Sequence, residues 1–217
     1  MLPFITFEGI EGSGKTTQIE LLAQQLRLRG YQVLQTREPG GCRIADQIRG
    51  ILLHPDNAAM VSRAELLLYA AARAQHVEEI VQPALSTGEI VLCDRFTDAT
   101  LAYQGDGRGL DRNLITQLNQ LAAGNCRPNL TLLFDLPVAV GLGRARQREV
   151  DLQDSSEGRF ERETLEFHKR IKAGYLALAA AEPERFQVIN ADQTPEQISR
   201  QISAIVENFL QVKTGAA

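Results

Sequence analysis

The residues Gly9-Ile10-Glu11-Gly12-Ser13-Gly14-Lys15-Thr16 bring together glycines, a lysine and a hydroxyl at the spacing that holds a polyphosphate. They fit G-x-x-x-x-G-K-[ST] at every fixed position. The glycines let the backbone curl round a phosphate, with amide N–H groups pointing inward at the positive end of a helix dipole. Lys15 is then placed for the β and γ phosphates of a nucleotide and the Thr16 hydroxyl for Mg²⁺. A turn that merely joined a strand to a helix would not need Lys-Thr at the helix start. Gly9 through Thr16, together with Thr17, are therefore the expected contacts to ATP.

Other chemistry-bearing residues are more ambiguous alone. Arg37-Glu38-Pro39-Gly40-Gly41 is a charged pair followed by a rigid turn, which suits either a ligand contact at a strand end or a solvated bend. Tyr69 and Arg73 lie four apart and share one side of a helix, an arrangement fit for a base and a phosphate or for ordinary packing beside a surface charge. Ile90-Val91-Leu92-Cys93-Asp94 is an apolar run ending in a carboxylate. Beside a phosphate loop it is the Walker B pattern, with Asp94 orienting the metal near Thr16 and Arg95 facing the phosphates. The segment 144–162 is dense in both charges around Ser155-Ser156-Glu157-Gly158. It reads as a solvated connection or as a mobile lid whose Arg144, Arg146, Arg148 and Arg159 meet phosphoryl charge. His54, His76 and His168 have no partners at metal-ligand spacing and read as structural or surface residues.

These residues need a scaffold, and hydrophobic periodicity supplies one. Phe4-Ile5-Thr6-Phe7 reads as a strand; Ile19, Leu22, Ala23 and Leu26 form a helical stripe that Gly30 ends. Strand character returns at 31–36, 90–94, 130–135 and 186–189. Helices are expected at 44–53, from a Ser62 cap to about Leu85 with Leu66, Leu67, Ala70, Ala74 and Val77 inward, and at 111–123. A short helical piece over 96–104 precedes a flexible turn at 105–109, and Pro137 begins another helix. One more ends near Ala181, and Thr194-Pro195-Glu196-Gln197 opens the last with a capping box, Ile198, Ile202, Ile205 and Phe209 inward and residues 213–217 frayed. Strand and helix alternate without repeat or linker, giving one α/β domain over residues 1–217.

Composition removes several function classes. Net charge is −4, so no general electrostatic case for nucleic-acid binding exists. No apolar run reaches the ~20 residues of a membrane span, and no signal-like segment opens the chain, which points to the cytoplasm. Cys42, Cys93 and Cys126 are widely spaced and form neither a disulfide framework nor a zinc pattern.

The ordered set Phe7-Glu8-Gly9, the phosphate loop, Thr36-Arg37-Glu38-Pro39-Gly40-Gly41, Ala72-Arg73-Ala74-Gln75, Asp94-Arg95-Phe96 and Ala102-Tyr103-Gln104-Gly105 resembles bacterial thymidylate kinases over nearly the whole chain. The resemblance implies a P-loop NTPase-type three-layer fold, with a five-stranded parallel sheet, helices on both faces and a mobile lid. It also implies a homodimer that transfers a phosphoryl group from ATP to dTMP with Mg²⁺, and dTMP contacts from Glu11, Arg37, Tyr69, Arg73, Arg95, Thr100, Tyr103 and Gln104. Tyr69 would stack on thymine, with Thr100 and Gln104 beside it; Arg37 and Arg95 would hold the acceptor phosphate. Tyr103 would lie against the sugar and Glu11 near its 3′-hydroxyl. A kinase for another nucleoside monophosphate is the alternative within the class. Phosphoryl transfer rests on positioning and charge neutralisation, so no general base is needed. Lys15 and Arg95 would act on the transferring group. The loop itself carries no arginine, so the lid would supply one, expected at Arg159 in Gly158-Arg159-Phe160-Glu161. The glycine before it departs from the family's usual aspartate.

Overall fold

Phe4, Ile5, Thr6, Phe7 and Glu8 are all buried, so the strand they form has no solvent-facing side. In the computed structural model, which describes residues 3–152 and 158–214, this strand is β1 (Phe4–Gly9). Among the described residues it forms one sheet with β2 (Val33–Arg37), β3 (Ile90–Asp94), β4 (Leu130–Asp135) and β5 (Phe186–Asn190), all parallel in the order β2-β3-β1-β4-β5.

Alternation along β1 sorts its side chains into two layers. Ile5 and Phe7 join Leu92, Leu132 and Phe134 under α1 (Lys15–Leu28) and α9 (Pro195–Thr214), which contribute Ile19, Leu22, Leu26, Ile198, Ile202, Val206 and Leu210. The opposite face carries Phe4, Thr6 and Glu8, with Thr6 and Thr131 sharing a 2.9 Å hydroxyl–hydroxyl hydrogen bond. Over that face lie α2 (Arg43–Leu53), α3 (Ser62–His76), α4 (Gln82–Ser86), α5 (Thr97–Thr100), α6 (Arg112–Ala123), α7 (Val138–Leu152) and α8 (Leu165–Ala181).

Register gathers the chemistry at one edge. Asp94 is level with Phe7 on one side and Arg37 on the other, so β1, β2 and β3 end together. The ligand crevice of an open parallel sheet lies outside these carboxyl ends, where consecutive connections leave in opposite directions. Here that point is β1, flanked by β3 and β4.

Local end signals are realised in detail. Gly30 at φ 87° closes α1 with amide bonds from Gly30 to Arg27 and from Tyr31 to Leu26, a double bond pattern that needs the left-handed residue. Asp111 caps α6 by accepting from the Asn113 amide at 2.8 Å. Thr194 and Gln197 exchange side-chain to backbone bonds at the start of α9.

Several elements depart from expectation. Val61, not Ser62, precedes the first turn of α3, and the helical path to Ser86 is interrupted by a π-helical stretch at Val77–Val81. Leu66 and Val77 are buried as expected and Ala70 and Ala74 partly so, but Leu67 is 52% exposed, and Glu65, Arg73 and His76 add a buried polar stripe. The expected flexible turn after 104 is instead the end of a π-helical stretch, Leu101–Gly107, with Gly105 and Gly107 buried. At Gly107 an added Cβ would stand 2.8 Å from Phe167, so close packing explains the glycine. In α9 the innermost stripe is Ile198, Ile202, Val206 and Leu210, with Ile205 and Phe209 half-buried beside it. Helix α7 extends through much of the charged segment to Leu152. Ser155, Ser156 and Glu157 of the expected break, and Gly215 to Ala217 of the expected frayed end, lie outside the described residues, while α9 continues to Thr214.

Candidate active site

A cleft of about 570 Å³ opens at the carboxyl ends of β1, β2 and β3. The phosphate loop forms one wall. Gly12 and Gly14 take φ values of 68° and 89°, which an L side chain rarely adopts. At Gly12 a Cβ would also stand 2.0 Å from the Gly141 carbonyl oxygen of α7, so the loop rests directly on that helix. Lys15 folds back over the loop, its Nζ donating to the carbonyl oxygens of Gly9 (3.3 Å) and Ile10 (3.0 Å) and to Ser13 Oγ (3.2 Å). Burial, and next the charge of Arg95, lower its pKa from the ordinary 10.5 to about 8. Glu11 to Thr17 all line the cleft, whereas Gly9 and Ile10 lie behind it and serve through their carbonyls.

The Thr16 hydroxyl donates to Asp94 Oδ2 at 3.3 Å, uniting the helix start with the end of β3. Asp94 Oδ1 is buried and has no hydrogen-bond partner. A hydroxyl next to an unpartnered carboxylate oxygen is a donor set suited to a hard divalent cation.

Arg95 is at φ 67°, in the left-handed region that favours glycine. The surroundings hold it there: its amide donates to the Phe7 carbonyl, one guanidinium nitrogen to Tyr175 Oη (3.2 Å) and the other to Glu11 Oε1 (3.3 Å). The guanidinium lies 4.7 Å from the centre of the Tyr103 ring. Tyr175 in turn donates to Glu8 Oε2 at 2.7 Å, and the Phe96 amide donates to Glu8 Oε1 at 2.7 Å. Burial, then the charge of Asp98, push Glu8 up to about 8. Glu11 goes the other way: burial opposes ionisation, but the His168 ring, Arg95 and the Tyr103 hydroxyl outweigh it and bring the pKa to about 2. Its carboxylate is a fixed negative charge at the mouth of the loop.

Arg73, Thr100, Tyr103 and Gln104 line the far end with half-buried Tyr69. Arg73 is not an exposed phosphate hook. Its Nε donates to Glu38 Oε2 (2.8 Å), Nη1 to Asn119 Oδ1 (2.6 Å), and Nη2 to the Phe96 carbonyl (3.1 Å) and Thr100 Oγ1 (2.9 Å). His76 continues the chain, with Nδ1 3.0 Å from Glu38 and Nε2 2.6 Å from Thr36 Oγ1. Arg73 is therefore a buried strut whose edge reaches the pocket. Arg37 lines the cleft from the rim, 3.1 Å from Asp46.

Arg159 does not line the cleft in this conformation. Its side chain is 4% exposed and outside the cleft, with Nη2 2.7 Å from Glu65 Oε2, Nε on the Leu52 carbonyl, and its amide on the Leu53 carbonyl. The fully buried Glu65 carboxylate draws the guanidinium under the pocket, and neighbouring Phe160 anchors the turn in the apolar cluster. Of the arginines in the charged segment, Arg148 on α7 lines the cleft, as do Ala145, Gly158, Phe160 and Glu161 of the same segment. Glu8, Glu65, Tyr175 and His168 have no site role in the sequence reading, and Glu38 enters it only as half of a charged pair at a strand end. Spacing carried a signal for Glu65 and for His76: Glu65, Tyr69, Arg73 and His76 are separated by four, four and three residues, one side of α3.

A phosphate loop, a strand-end aspartate and a second compartment lined by arginine and aromatic residues define a P-loop kinase. The chain belongs to the thymidylate kinase family, whose model matches residues 7–202. It is 58% identical over 212 residues to the thymidylate kinase of Syntrophotalea carbinolica, covering 98% of both chains. It is 60% identical over 205 residues to that of Geobacter sulfurreducens, covering 94% and 96%. Among solved structures it resembles thymidylate kinase from Ehrlichia chaffeensis, with a TM-score of 0.75, 34% identity and coverage of 94% and 98%.

Proposed function

We propose that this protein transfers the terminal phosphoryl group of ATP to dTMP, giving ADP and dTDP. The observation that carries the reading is the single cleft in which Lys15 and the loop lie at one end and Tyr69, Thr100 and Gln104 at the other, with Arg37 and Arg95 near both. Two nucleotides entering from opposite ends meet phosphate to phosphate there, and in-line positioning is the largest part of this chemistry.

In this reading Lys15 leaves its carbonyl partners for the transferring group, and Arg95, already oriented by Tyr175 and Glu11, holds the acceptor phosphate with Arg37. Tyr69 stacks on the base and Thr100 and Gln104 meet its edge. Tyr103, whose hydroxyl is bound to Glu11, sits against the deoxyribose with Glu11 near the 3′-hydroxyl. Thr16 and Asp94 would hold Mg²⁺, supported by the unpartnered Asp94 Oδ1. Held by Thr16 and Asp94, such an ion would supply positive charge against that developing on the phosphates. Arg148 replaces Arg159 as the arginine we place toward the transferred group, since it borders the cleft.

We also propose a homodimer working in the cytoplasm. Leu67 on α3 and Leu114 and Leu121 on α6 are exposed apolar residues on neighbouring helices that a second copy would cover, and light scattering checks the mass. No helix among the described residues is long and apolar enough to cross a membrane.

The activity is tested by ADP release from ATP with dTMP, dUMP, dCMP, dAMP or dGMP. Turnover that depends on dTMP above the others supports the assignment. A preference for a purine monophosphate would move the protein to another member of the class, and release independent of any acceptor would make it an ATPase.

A further inference from the structure

Glu65 has no solvent exposure, yet three side chains bring four nitrogens to its carboxylate. Oε1 accepts from Gln104 Nε2 at 2.8 Å and from Arg108 Nε at 3.2 Å; Oε2 accepts from Arg108 Nη2 at 3.1 Å and lies 2.7 Å from Arg159 Nη2. Arg108 is itself shared with Glu163. Burial alone would raise the pKa of Glu65, but the hydrogen bonds from Arg108 and Gln104 hold it below the usual carboxylate range. An ionised carboxylate accepts and never donates.

That fixes a choice which a glutamine does not make by itself. The two ends of an amide are nearly identical in shape and opposite in polarity, so either end of Gln104 would fit the pocket. Beside Glu65 only the NH₂ end is tolerated, because turning the oxygen inward would set it against a buried negative charge. Gln104 lines the cleft near Tyr69, and Glu65 stands one helical turn before Tyr69 on α3. Its backbone is also pinned, the Gln104 carbonyl accepting from the Leu110 amide at 3.1 Å.

We propose that Glu65 is a positioning residue for base selection, holding the Gln104 amide so that its carbonyl oxygen alone faces the acceptor base and reads the imide N–H of a thymine or uracil ring. Cytosine offers an acceptor at that ring position, so the same oxygen meets a lone pair and leaves two acceptors unpaired. The inference rests on the reading of the far compartment as the pyrimidine site. Arg159 belongs to this device: its Nη2 lies 2.7 Å from Glu65 Oε2, which ties the Gly158-Arg159-Phe160 turn to the residue that orients the base reader.

The test compares kcat/KM for dTMP, dUMP and dCMP in the wild type and in Glu65→Gln, whose new amide can donate as well as accept. The dTMP:dCMP preference should fall about tenfold or more, chiefly through KM for dTMP, as expected for releasing one hydrogen-bond orientation. The dTMP:dUMP ratio should not move, since both rings carry the same imide, and KM for ATP should hold. A folded Glu65→Gln protein with an unchanged dTMP:dCMP ratio, including one that loses all acceptors equally, overturns the proposal. A second measurement needs no altered carboxylate. In the wild-type protein, the Gln104 side-chain amide, assigned by its disappearance in Gln104→Met, should keep its hydrogen-exchange protection when dTMP binds. Loss of protection on adding dTMP would show the NH₂ end turning to the base and would sink the idea even if Glu65→Gln failed to fold. If the wild type phosphorylates none of the three nucleotides, the pyrimidine-kinase reading fails instead.

Discussion

Lys15 shows how the phosphate loop holds a charge in an awkward place. Between pH 8 and 10.5 the folded protein binds fewer protons at this residue than the unfolded chain does, so this residue's contribution to stability rises with pH across that window. Bound phosphates favour the ammonium form, so ATP binding should take up close to one proton above pH 8 and none at pH 7, and affinity should fall as pH climbs past 8. Calorimetry in two buffers of different ionisation enthalpy reads the uptake directly; no buffer dependence at pH 9 would mean that Lys15 does not meet the phosphates.

The two arginines of the charged segment separate at the same scale. Arg148→Ala should lower kcat on the order of 10³ with modest changes in KM, as for an arginine acting on the transferring group. Arg159→Ala should instead uncouple a buried pair, costing roughly 3 kcal/mol or more of stability. Denaturant melts and saturating-substrate assays on both variants decide; a stable but inactive Arg159→Ala protein beside a fully active Arg148→Ala protein would reverse the assignment.

Among elements, α7 is the one whose consequences for the site were least visible beforehand. Gly141 looks like an unremarkable small residue in a helix, yet a Cβ there would stand 2.6 Å from the Glu11 carbonyl oxygen. Gly141→Ala should therefore displace the loop despite its better helix propensity, raising KM for ATP on the order of tenfold while leaving KM for dTMP nearly unchanged. Paired KM measurements check this, and an unaltered ATP KM would show that the loop does not need its seat on α7. What could be read from the residues follows a physical divide. The strands, α1 and its glycine end, and the loop from Gly9 to Thr16 were legible because each rests on local spacing and end chemistry. The polar part of α3's interior was not, because the partners of Glu65, Arg73 and His76, among them Gln104, Arg108, Glu38, Asn119 and Thr36, come from other parts of the chain. The same holds for Arg159: its neighbourhood in sequence looks solvated, and only folding brings Leu52 and Glu65 to it.

At the scale of the molecule, the sheet order places the first strand made at the centre. β1 obtains β3 as a neighbour after residue 94, but β4, which pairs Ile5 with Leu130 and Gly9 with Phe134, is complete only at residue 135. On a ribosome adding about 5–20 residues per second, the stretch from residue 94 to residue 135 leaves β1 with one hydrogen-bonding edge open for roughly 2–8 seconds. During that interval the phosphate loop at its end lacks the α7 helix on which it rests, so nucleotide cannot rescue the nascent chain. A released 1–129 chain should thus show no cooperative unfolding and no ATP-dependent protection from protease, whereas the full chain should show both. Native-like protection of the shorter chain would mean that β2, β3 and β1 stand without the second half. The geometry that puts the loop at the sheet's centre for chemistry also makes the enzyme's first-made part the last to be safe, and an exposed apolar strand edge is what holdase chaperones are built to cover.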